Sequence, residues 1–244
     1  MTAERGSGDA GRGPRGRRPA VGDENMDGKD IGVLDRGAVR LVSFMGGDAR
    51  VGESARICTM ADGTEESDAR LARHLIRMGH GTPFEHSVFT FYVKCPIFVA
   101  RQWFRHRIGS YNEMSMRYCL ADREYYVPKE LMQEGREAER ERYVSSIEGA
   151  FDTYEAMEAA GLRREAARGV LPVAAYTQFY WTVNARSLMN FLDLRLDTAA
   201  QWEIRQYAKA ILGIVESVMP STAEAFKAMR RGEMEPPRRE YEFG

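Results

Sequence analysis

The sequence predicts a folded region that mixes β-strands with α-helices, and three observations lead to this expectation. Residues 39–44 and 86–93 alternate in polarity or are rich in β-branched and aromatic side chains, which is typical of strands. Residues 65–78 and 137–160 repeat apolar side chains every three or four positions, which is typical of amphipathic helices. Hydrophobic residues make up 43% of the 244 residues and charged residues 29%, which suits one large globular domain or two small ones.

Short strands and helices, punctuated by glycine and proline, are expected in the first half of the folded region. The run Gly46-Gly47-Asp48 is a turn signal, and Gly79 is a helix stop. Thr82 to Glu85 has the pattern of a capping box, with proline at the first helical position. The expected elements are a strand at 39–44, a short helix at 53–57, a helix at 65–78, a strand at 86–93 and a helix at 96–104.

Helices dominate the expected second half. The long helix at 137–160 carries a stripe that favours core or subunit interface over a cofactor contact. That stripe consists of Tyr143, Ile147, Phe151, Tyr154 and Met157. A short basic helix at 163–170 is expected to end near Pro172, and residues 201–219 form the last amphipathic helix.

Charge, hydropathy and cysteine usage exclude several classes of protein. The formal net charge of −1 argues against a general nucleic-acid binder, and no apolar run is long enough to span a membrane. The odd set Cys58, Cys95 and Cys119 shows no Cys-x-x-Cys spacing, so we expect reduced thiols in a cytoplasmic protein. No pair of histidines has metal-ligand spacing with a third ligand, so no metal site is expected.

The two ends of the chain differ in composition from the centre. Residues 1–30 are rich in glycine and arginine and nearly lack large apolar residues, so we expect a disordered tail. An RNA-binding arm is the alternative, but acidic residues such as Asp9 and Asp23 dilute its positive charge. The folded domain is expected at 31–229, followed by a charged tail at 230–244.

The segment 105–118 concentrates polar groups in a way that a core segment does not. It contains three arginines, a histidine, a glutamate, two serines and an asparagine, each of which must find a partner or remain hydrated. Gln102 and His106 lie four residues apart, so they share one face with Arg105 at the end of the preceding helix, which Gly109 is expected to break. The segment therefore predicts a ligand cleft.

The residues after Gly109 suggest what the cleft binds. If this stretch is extended, Glu113, Ser115 and Arg117 point to one side, because strand side chains alternate. A guanidinium beside a hydroxyl is a pair that binds phosphate. The carboxylate of Glu113 would repel a phosphate unless it holds an arginine or a sugar hydroxyl.

The stretch 180–195 is the second informative region. Arg186 and Asn190 are four residues apart on a polar helix face. The opposite, apolar stripe holds Leu188, Phe191, Leu192 and Arg195. An arginine on an apolar stripe is either paired in a buried salt bridge or directed at a ligand, and the spacing leaves both interpretations open.

Residues 105–118 and 184–195 resemble two sequence blocks of the flavin-dependent thymidylate synthases. The first block has the form R-H-R-x-x-S-x-N-E-x-S-x-R-Y, and every specified position is present here. The second has the form N-A-R-S-L-x-N-F-L-x-L-R and is also matched. The resemblance extends from about Ile31 to about Phe226.

The resemblance implies a fold and an activity. The expected fold is an α+β single domain with a mainly antiparallel sheet flanked by helices, assembled as a homotetramer with active sites between subunits. The implied reaction is the conversion of dUMP to dTMP without a cysteine nucleophile. Methylenetetrahydrofolate would supply the carbon and NADPH the electrons, with bound FAD relaying the hydride.

The resemblance also implies residue roles. Positions that match dUMP contacts are Gln102, Trp103, Phe104, Arg105, Glu113, Met114, Ser115, Met116, Arg117, Arg168 and Arg195. Positions that match FAD contacts are Thr82, Arg105, His106, Arg107, Glu113, Asn184, Ala185, Arg186 and Asn190. Arg195 matches the residue that polarises the uracil ring, and His80 matches a position on the folate or nicotinamide side. Cys58 departs from the family, which more often has serine there, near the flavin phosphates.

Overall fold

A computed structural model describes residues 28–57 and 63–234 of the chain. Most of the two predicted tails and the Cys58 position lie outside these residues. The described strands form one five-stranded antiparallel sheet in the order β1-β2-β3-β5-β4. The strands are β1 (Ile31–Val33), β2 (Gly37–Met45), β3 (Val88–Pro96), β4 (Ser110–Glu113) and β5 (Tyr176–Asn184).

Eight α-helices accompany this sheet in the described part of the chain, so the expected α+β class is confirmed. They are α1 (Asp48–Arg56), α2 (Glu65–Met78), α3 (Ile97–Trp103), α4 (Glu137–Ala159), α5 (Arg164–Ala167), α6 (Ala185–Arg195), α7 (Trp202–Val218) and α8 (Pro220–Arg230). Short 3₁₀ helices occupy Thr82–His86, Lys129–Met132 and Arg168–Val170. Within 28–57 and 63–234, no helix is both long enough and apolar enough to cross a membrane.

Strand β3 runs through the middle of the sheet and separates its two faces. Phe89, Phe91 and Val93 are fully buried, whereas Thr90 and Tyr92 between them are only half-buried. This alternation places one face of the sheet against the helices and leaves the other face partly open. Antiparallel pairing with β5 continues through all nine residues of β3, from Val88 opposite Asn184 to Pro96 opposite Tyr176.

A cluster of aromatic rings joins α3, β5 and α6. The ring centroid of Trp103 lies 5.4 Å from that of Trp181 and 4.8 Å from that of Phe191, and all three side chains are fully buried. Burying rings of this size contributes strongly to stability and fixes the three elements relative to one another. The cluster therefore brings the end of α3 next to the last turn of α6.

Local signals define α2 well. The helix spans Glu65–Met78, as predicted, and it ends at Gly79, whose φ of 70° is left-handed. Its start has a reciprocal capping box between Thr64 and Ser67. The capping box predicted at Thr82 is wrong, because that segment is a single 3₁₀ turn whose N-cap is Gly81, with no side-chain cap.

Element boundaries differ from the prediction where distant partners set them. Helix α1 begins at Asp48 rather than Glu53, directly after Gly46 and Gly47, whose φ angles of 106° and 108° are left-handed. The Asp48 carboxylate accepts hydrogen bonds from the main-chain nitrogens of Ser221 and Thr222, which ties this helix start to α8. Such a partner, far away in the sequence, leaves no local signal.

The polar segment also folds differently in detail. Helix α3 ends at Trp103, so Gly109 is not its breaker. Strand β4 stops at Glu113, and Ser115 begins a turn in which its carbonyl accepts from the nitrogens of Tyr118 and Cys119. The condition for a common side of Glu113, Ser115 and Arg117, an extended chain through all three, is therefore not met, since the strand ends at the first of them.

The remaining strands and α-helices agree with the prediction except for three that it missed. Helices α4 and α7 lie where expected, and the basic helix predicted at 163–170 is α5 followed by a 3₁₀ turn. The prediction did not include β1, β5 or α8. Because α8 continues to Arg230 and Met234 is buried, the predicted charged tail overlaps the end of the packed structure.

Candidate functional site

Arg195, in the last turn of α6, is held by two neutral acceptors. Its Nε donates to Nε2 of His106 at 2.9 Å, and its Nη2 donates to the main-chain oxygen of Gln102 at 3.0 Å. No carboxylate within 28–57 or 63–234 forms an ion pair with it, so the buried salt bridge that the spacing left open is not found in these ranges. Burial and the neighbouring Arg105 guanidinium lower the pKa of Arg195.

His106 is a neutral imidazole in this arrangement. Burial, and secondarily the Arg195 charge, lower its pKa from 6.5 to about 4. Because Nε2 accepts a hydrogen bond, the proton of the neutral ring is assigned to Nδ1. The ring packs edge-on against Phe191, with centroids 4.9 Å apart, and the hydroxyl of Tyr111 donates to the His106 carbonyl at 2.7 Å.

The C-terminal end of α3 explains why the carbonyl of Gln102 is available to Arg195. The last carbonyl groups of a helix have no partner inside the helix and carry its negative dipole end. Arg195 supplies a cationic donor to one of them, the carbonyl of Gln102. The Gln102 side chain donates to Gln201, so both ends of this residue have partners. The guanidinium is thus seated at a helix C-terminus.

A second group of predicted site residues surrounds α5. Arg117 Nη2 donates to Glu165 Oε2 at 3.3 Å, and the Ser115 hydroxyl accepts from the Arg117 nitrogen at 3.4 Å. Arg164 reaches the carbonyl of Tyr118 at 2.9 Å, which fixes the turn against α5. Arg168 is exposed in the turn after α5.

Other residues with predicted dUMP contacts have structural partners. Glu113 Oε1 accepts from the Thr177 hydroxyl at 2.7 Å, and no arginine in the described residues forms an ion pair with its carboxylate. Trp103 is fully buried and Met116 nearly so. Their side chains face the protein interior, so contacts from these two positions to a nucleotide would have to come from the main chain. Phe104 and Met114 are half-buried.

A third group lies where the 3₁₀ turn at Thr82–His86 packs on α6. Arg186 pairs with Glu85, and a Cβ at Gly81 would lie 2.5 Å from Arg186 Nε, so the arginine side chain passes directly over this glycine. Asn190 is exposed one turn further along α6. His80 and Thr82 are exposed beside this surface.

The fit of a dinucleotide cofactor can be judged from these donors. Guanidinium, amide and hydroxyl groups of Arg186, Asn190 and Thr82 on one open surface suit a diphosphate and an adenine. Arg107 is exposed after α3. Asn184 has another task, because its Oδ1 accepts from the Ser187 nitrogen at 2.9 Å and caps α6. Ala185 follows as the first, buried residue of that helix.

The three groups are not joined by polar contacts in the described ranges. No hydrogen bond or ion pair links the residues that hold Arg195, which are His106 and Gln102, to the Arg117–Glu165 pair or to the Arg186–Glu85 pair. Cavities of about 550 and 410 Å³ lie elsewhere, the first between α2 and residues 233–234 and the second beside the start of α7. Neither cavity is lined by Arg105, Ser115 or Arg195.

Sequence reasoning missed two residues that support the site. Tyr111 holds the main chain of His106, although it stands at a variable position of the motif. Glu85 holds Arg186, although the sequence suggested only a helix cap for it. Glu85 lies shortly after the end of α2, and its local sequence does not indicate a partner 101 residues away.

Fold and site together define a class: an α+β protein in which Arg195 and Arg105 lie side by side near the ends of α6 and α3, an arrangement suited to a phosphate-bearing ligand. Residues 40–221 match the family model described as thymidylate synthase complementing protein. The flavin-dependent thymidylate synthase of Thermotoga neapolitana is 52% identical over 202 residues, covering 80% of this chain and 93% of that protein. The enzyme of the same name from Thermus thermophilus is 43% identical over 214 residues, covering 81% and 78%.

Solved structures give the same assignment. The crystal structure of the UMP/dUMP methylase PolB from Streptomyces cacaoi, bound with 5-Br dUMP, superposes with a TM-score of 0.75 at 35% identity. It covers 81% of this chain and 97% of that one. The chain therefore belongs to the flavin-dependent thymidylate synthase family, which confirms both the resemblance and the expectation of an enzyme of this kind.

Proposed function

We propose that this chain catalyses the reductive methylation of dUMP to dTMP. Methylenetetrahydrofolate supplies the carbon, NADPH supplies the electrons, and bound FAD provides hydride-transfer chemistry. The observation that carries the proposal is the Arg195 guanidinium, which is oriented by neutral groups beside Arg105 and has no carboxylate partner in the described residues. A site with this excess of positive charge favours an anionic pyrimidine nucleotide.

The roles of the residues follow from their chemistry. Arg195 stabilises negative charge on the uracil ring as C5 becomes nucleophilic, and it does so as a preorganised donor. Arg105, Ser115, Arg117 and Arg168 carry the donors that bind the phosphate and the ribose. Arg186, Asn190 and Thr82 hold the diphosphate and adenine of the flavin, and His80 borders the folate or nicotinamide side.

The described thiols support a mechanism without a cysteine nucleophile. Thiolate attack requires an accessible group with a low pKa. Burial raises the pKa of the Cys95 thiol well above its ordinary value. Cys119 is exposed, and no basic group forms a hydrogen bond with its thiol in the described residues. Both are free thiols, which also favours the cytoplasmic location that we propose.

A homotetramer with shared active sites is part of the proposal. In the described residues, no hydrogen bond or ion pair joins the groups around Arg195, Arg117 and Arg186, and the cavities of about 550 and 410 Å³ are lined by none of these three arginines. One face of the sheet is also only half-buried, with Tyr180 exposed on it. Association of subunits would cover such a face and could bring donors from two chains around one nucleotide.

An anaerobic assay of dTMP formation tests this function. Purified protein loaded with FAD is incubated with dUMP, methylenetetrahydrofolate and NADPH, and each co-substrate is omitted in turn. We expect dTMP only in the complete mixture, together with tritium release from dUMP labelled at C5. NADPH oxidation without dTMP would indicate a flavoprotein oxidoreductase, and dUMP binding without either reaction would indicate a nucleotide-binding protein.

A second arm of this assay replaces dUMP with UMP. The structural relative is named a UMP/dUMP methylase, and its structures contain both 5-Br dUMP and 5-Br UMP. Comparison of the two nucleotides at equal concentration establishes whether this chain discriminates at the ribose 2′ position. Our proposal expects clear preference for dUMP.

A further inference from the structure

The two acceptors of Arg195 fix its plane without using up its hydrogen-bonding capacity. A guanidinium has five N–H groups, and the bonds to His106 Nε2 and Gln102 O use one each on Nε and Nη2. The donors of Nη1 and the second donor of Nη2 remain for a ligand. Because the guanidinium is planar, two fixed N–H directions determine where the other three point.

Neutrality of these acceptors matters as much as their geometry. A carboxylate in the place of His106 would orient Arg195 equally well, but it would cancel much of the positive field that a ligand experiences. The imidazole and the peptide carbonyl carry no net charge. Arg105 adds to the positive field from the same side of the site.

We propose that His106 is a positioning residue that orients the Arg195 guanidinium toward the pyrimidine while leaving its charge uncancelled. This inference rests on the proposed function and deepens it, because it assigns His106 a task toward Arg195 in addition to any contact with the flavin. The residue acts through Arg195 and does not itself transfer a proton.

The surroundings of His106 keep the ring in the required state. Arg195 faces Nε2 from α6, Phe191 packs against the ring, and Tyr111 from β4 bonds its carbonyl. Arg105 precedes it in the chain. A proton on Nε2 would remove the acceptor and place a third positive charge beside two guanidinium groups. The low pKa of His106, about 4, agrees with this geometry.

Three substitutions separate orientation from charge. His106→Gln keeps a neutral acceptor at about the reach of Nε2, and His106→Glu has the same shape but adds a negative charge. His106→Phe keeps ring packing against Phe191 and has no acceptor. For each variant, kcat, KM for dUMP, dUMP affinity by calorimetry, flavin absorbance per subunit and Tm are measured.

Each variant has a distinct expected result. His106→Gln retains kcat within about tenfold of the wild type, since one hydrogen bond is replaced by another. His106→Phe lowers kcat by about 100-fold, the scale for a misplaced transition-state donor, with dUMP affinity changed less than about threefold. His106→Glu lowers kcat and weakens dUMP binding by about tenfold relative to His106→Gln, because the added charge opposes the nucleotide.

The opposite outcomes overturn the inference. Equal kcat and dUMP affinity in His106→Glu and His106→Gln would show that neutrality is irrelevant. Wild-type kcat in His106→Phe would show that Arg195 needs no clamp. Loss of flavin in all three variants, with normal kcat per bound flavin, would make His106 a flavin contact only. Failure of the wild type to form dTMP would reject the proposed function itself, and the Gln–Glu difference in dUMP affinity would still decide the role of His106.

Discussion

Arg195 and Arg123 show two ways in which this fold uses a guanidinium. Arg123 donates to Glu148 Oε2 at 2.8 Å, to Asp152 Oδ1 at 2.7 Å and to Glu155 Oε1 at 3.1 Å. These acids, with Asp152 foremost, raise the pKa of Arg123, whereas burial and Arg105 lower the pKa of Arg195. The difference lies in the acceptors, which are three carboxylates in one region and two neutral groups in the other.

This contrast separates a structural arginine from one that is available to a ligand. Arg123 is fully engaged, because its charge is balanced by acids projecting from successive turns of α4. No acid balances the charge of Arg195 in the described residues. The hydrogen bonds to His106 and Gln102 use two of its five N–H groups, so three remain for a ligand. A partly buried guanidinium without a carboxylate partner costs desolvation free energy. Such an arginine therefore indicates a binding site more strongly than an arginine that is merely exposed to solvent.

The largest expected effect is that of Arg195→Ala on turnover. We expect kcat for dTMP formation to fall by about 100-fold or more, the scale for loss of one preorganised donor to a developing negative charge. Flavin content and Tm should change little, because the donor is not part of the aromatic cluster. The measurement is anaerobic dTMP formation at saturating dUMP.

Arg195→Lys refines this test. Lysine keeps the positive charge but lacks the planar fork that two acceptors orient. We therefore expect its kcat to lie between those of the wild type and the alanine variant. A lysine variant as fast as the wild type would mean that positive charge alone suffices. The orientation of the guanidinium by its two acceptors would then be irrelevant to turnover.

Arg105→Ala is expected to act mainly on binding. Arg105 is exposed beside Arg195, and in the described ranges no acid pairs with it. Loss of a charge-assisted contact to the nucleotide phosphate should raise KM for dUMP by about tenfold or more, since such bonds contribute about 1.5–3 kcal/mol. Steady-state kinetics with dUMP as the variable substrate measure this change. An unaltered KM would place Arg105 away from the nucleotide.

How far the sequence predicted the molecule depended on where each signal lies. Helix α2 was predicted to the residue, because its apolar period and Gly79 stop are local. The ends of β4 were not, because the strand extends only as far as its pairing with β5, whose last pair is Glu113 opposite Phe179. That partner lies far along the chain, and β5 itself was missed.

The candidate site follows the same rule. The polar composition of 105–118 predicts a ligand cleft, and this stays a prediction, because the cavities of about 550 and 410 Å³ are not lined by that segment. The choice between salt bridge and ligand contact was not predictable, because His106 and Gln102 are 89 and 93 residues from Arg195. The packing of Trp103 against Phe191 brings them together, and no local pattern encodes that contact.

A smaller effect is expected on the pH dependence of stability. The folded-state pKa of His106 is about 4, below the 6.5 of an unfolded chain, so the unfolded state binds more protons between these values. The free energy of unfolding therefore falls as pH is lowered from 6.5 toward 4. The full shift would correspond to about 3 kcal/mol, and we expect about 1 kcal/mol because the ring is only half-buried.

His106→Gln provides the control for this pH effect. Denaturant unfolding of both proteins at pH 7.0 and pH 4.5 gives the difference attributable to the imidazole, since the other titrating groups are shared. The wild type should lose about 1 kcal/mol more than the variant over this interval. Parallel losses would show that His106 titrates normally and is not held neutral beside Arg195.

The smallest expected effect belongs to Arg123→Ala, the counterpart of Arg195→Ala. The side chain lies at the surface, where solvent screens its three ion pairs, so we expect Tm to decrease by no more than a few degrees. Turnover per folded subunit should stay at the wild-type level. The three carboxylates neutralise the positive charge of Arg123, so this side chain does not attract a nucleotide. A large loss of dTMP formation in Arg123→Ala with intact folding would contradict this expectation. It would show that carboxylate partners do not mark an arginine as structural.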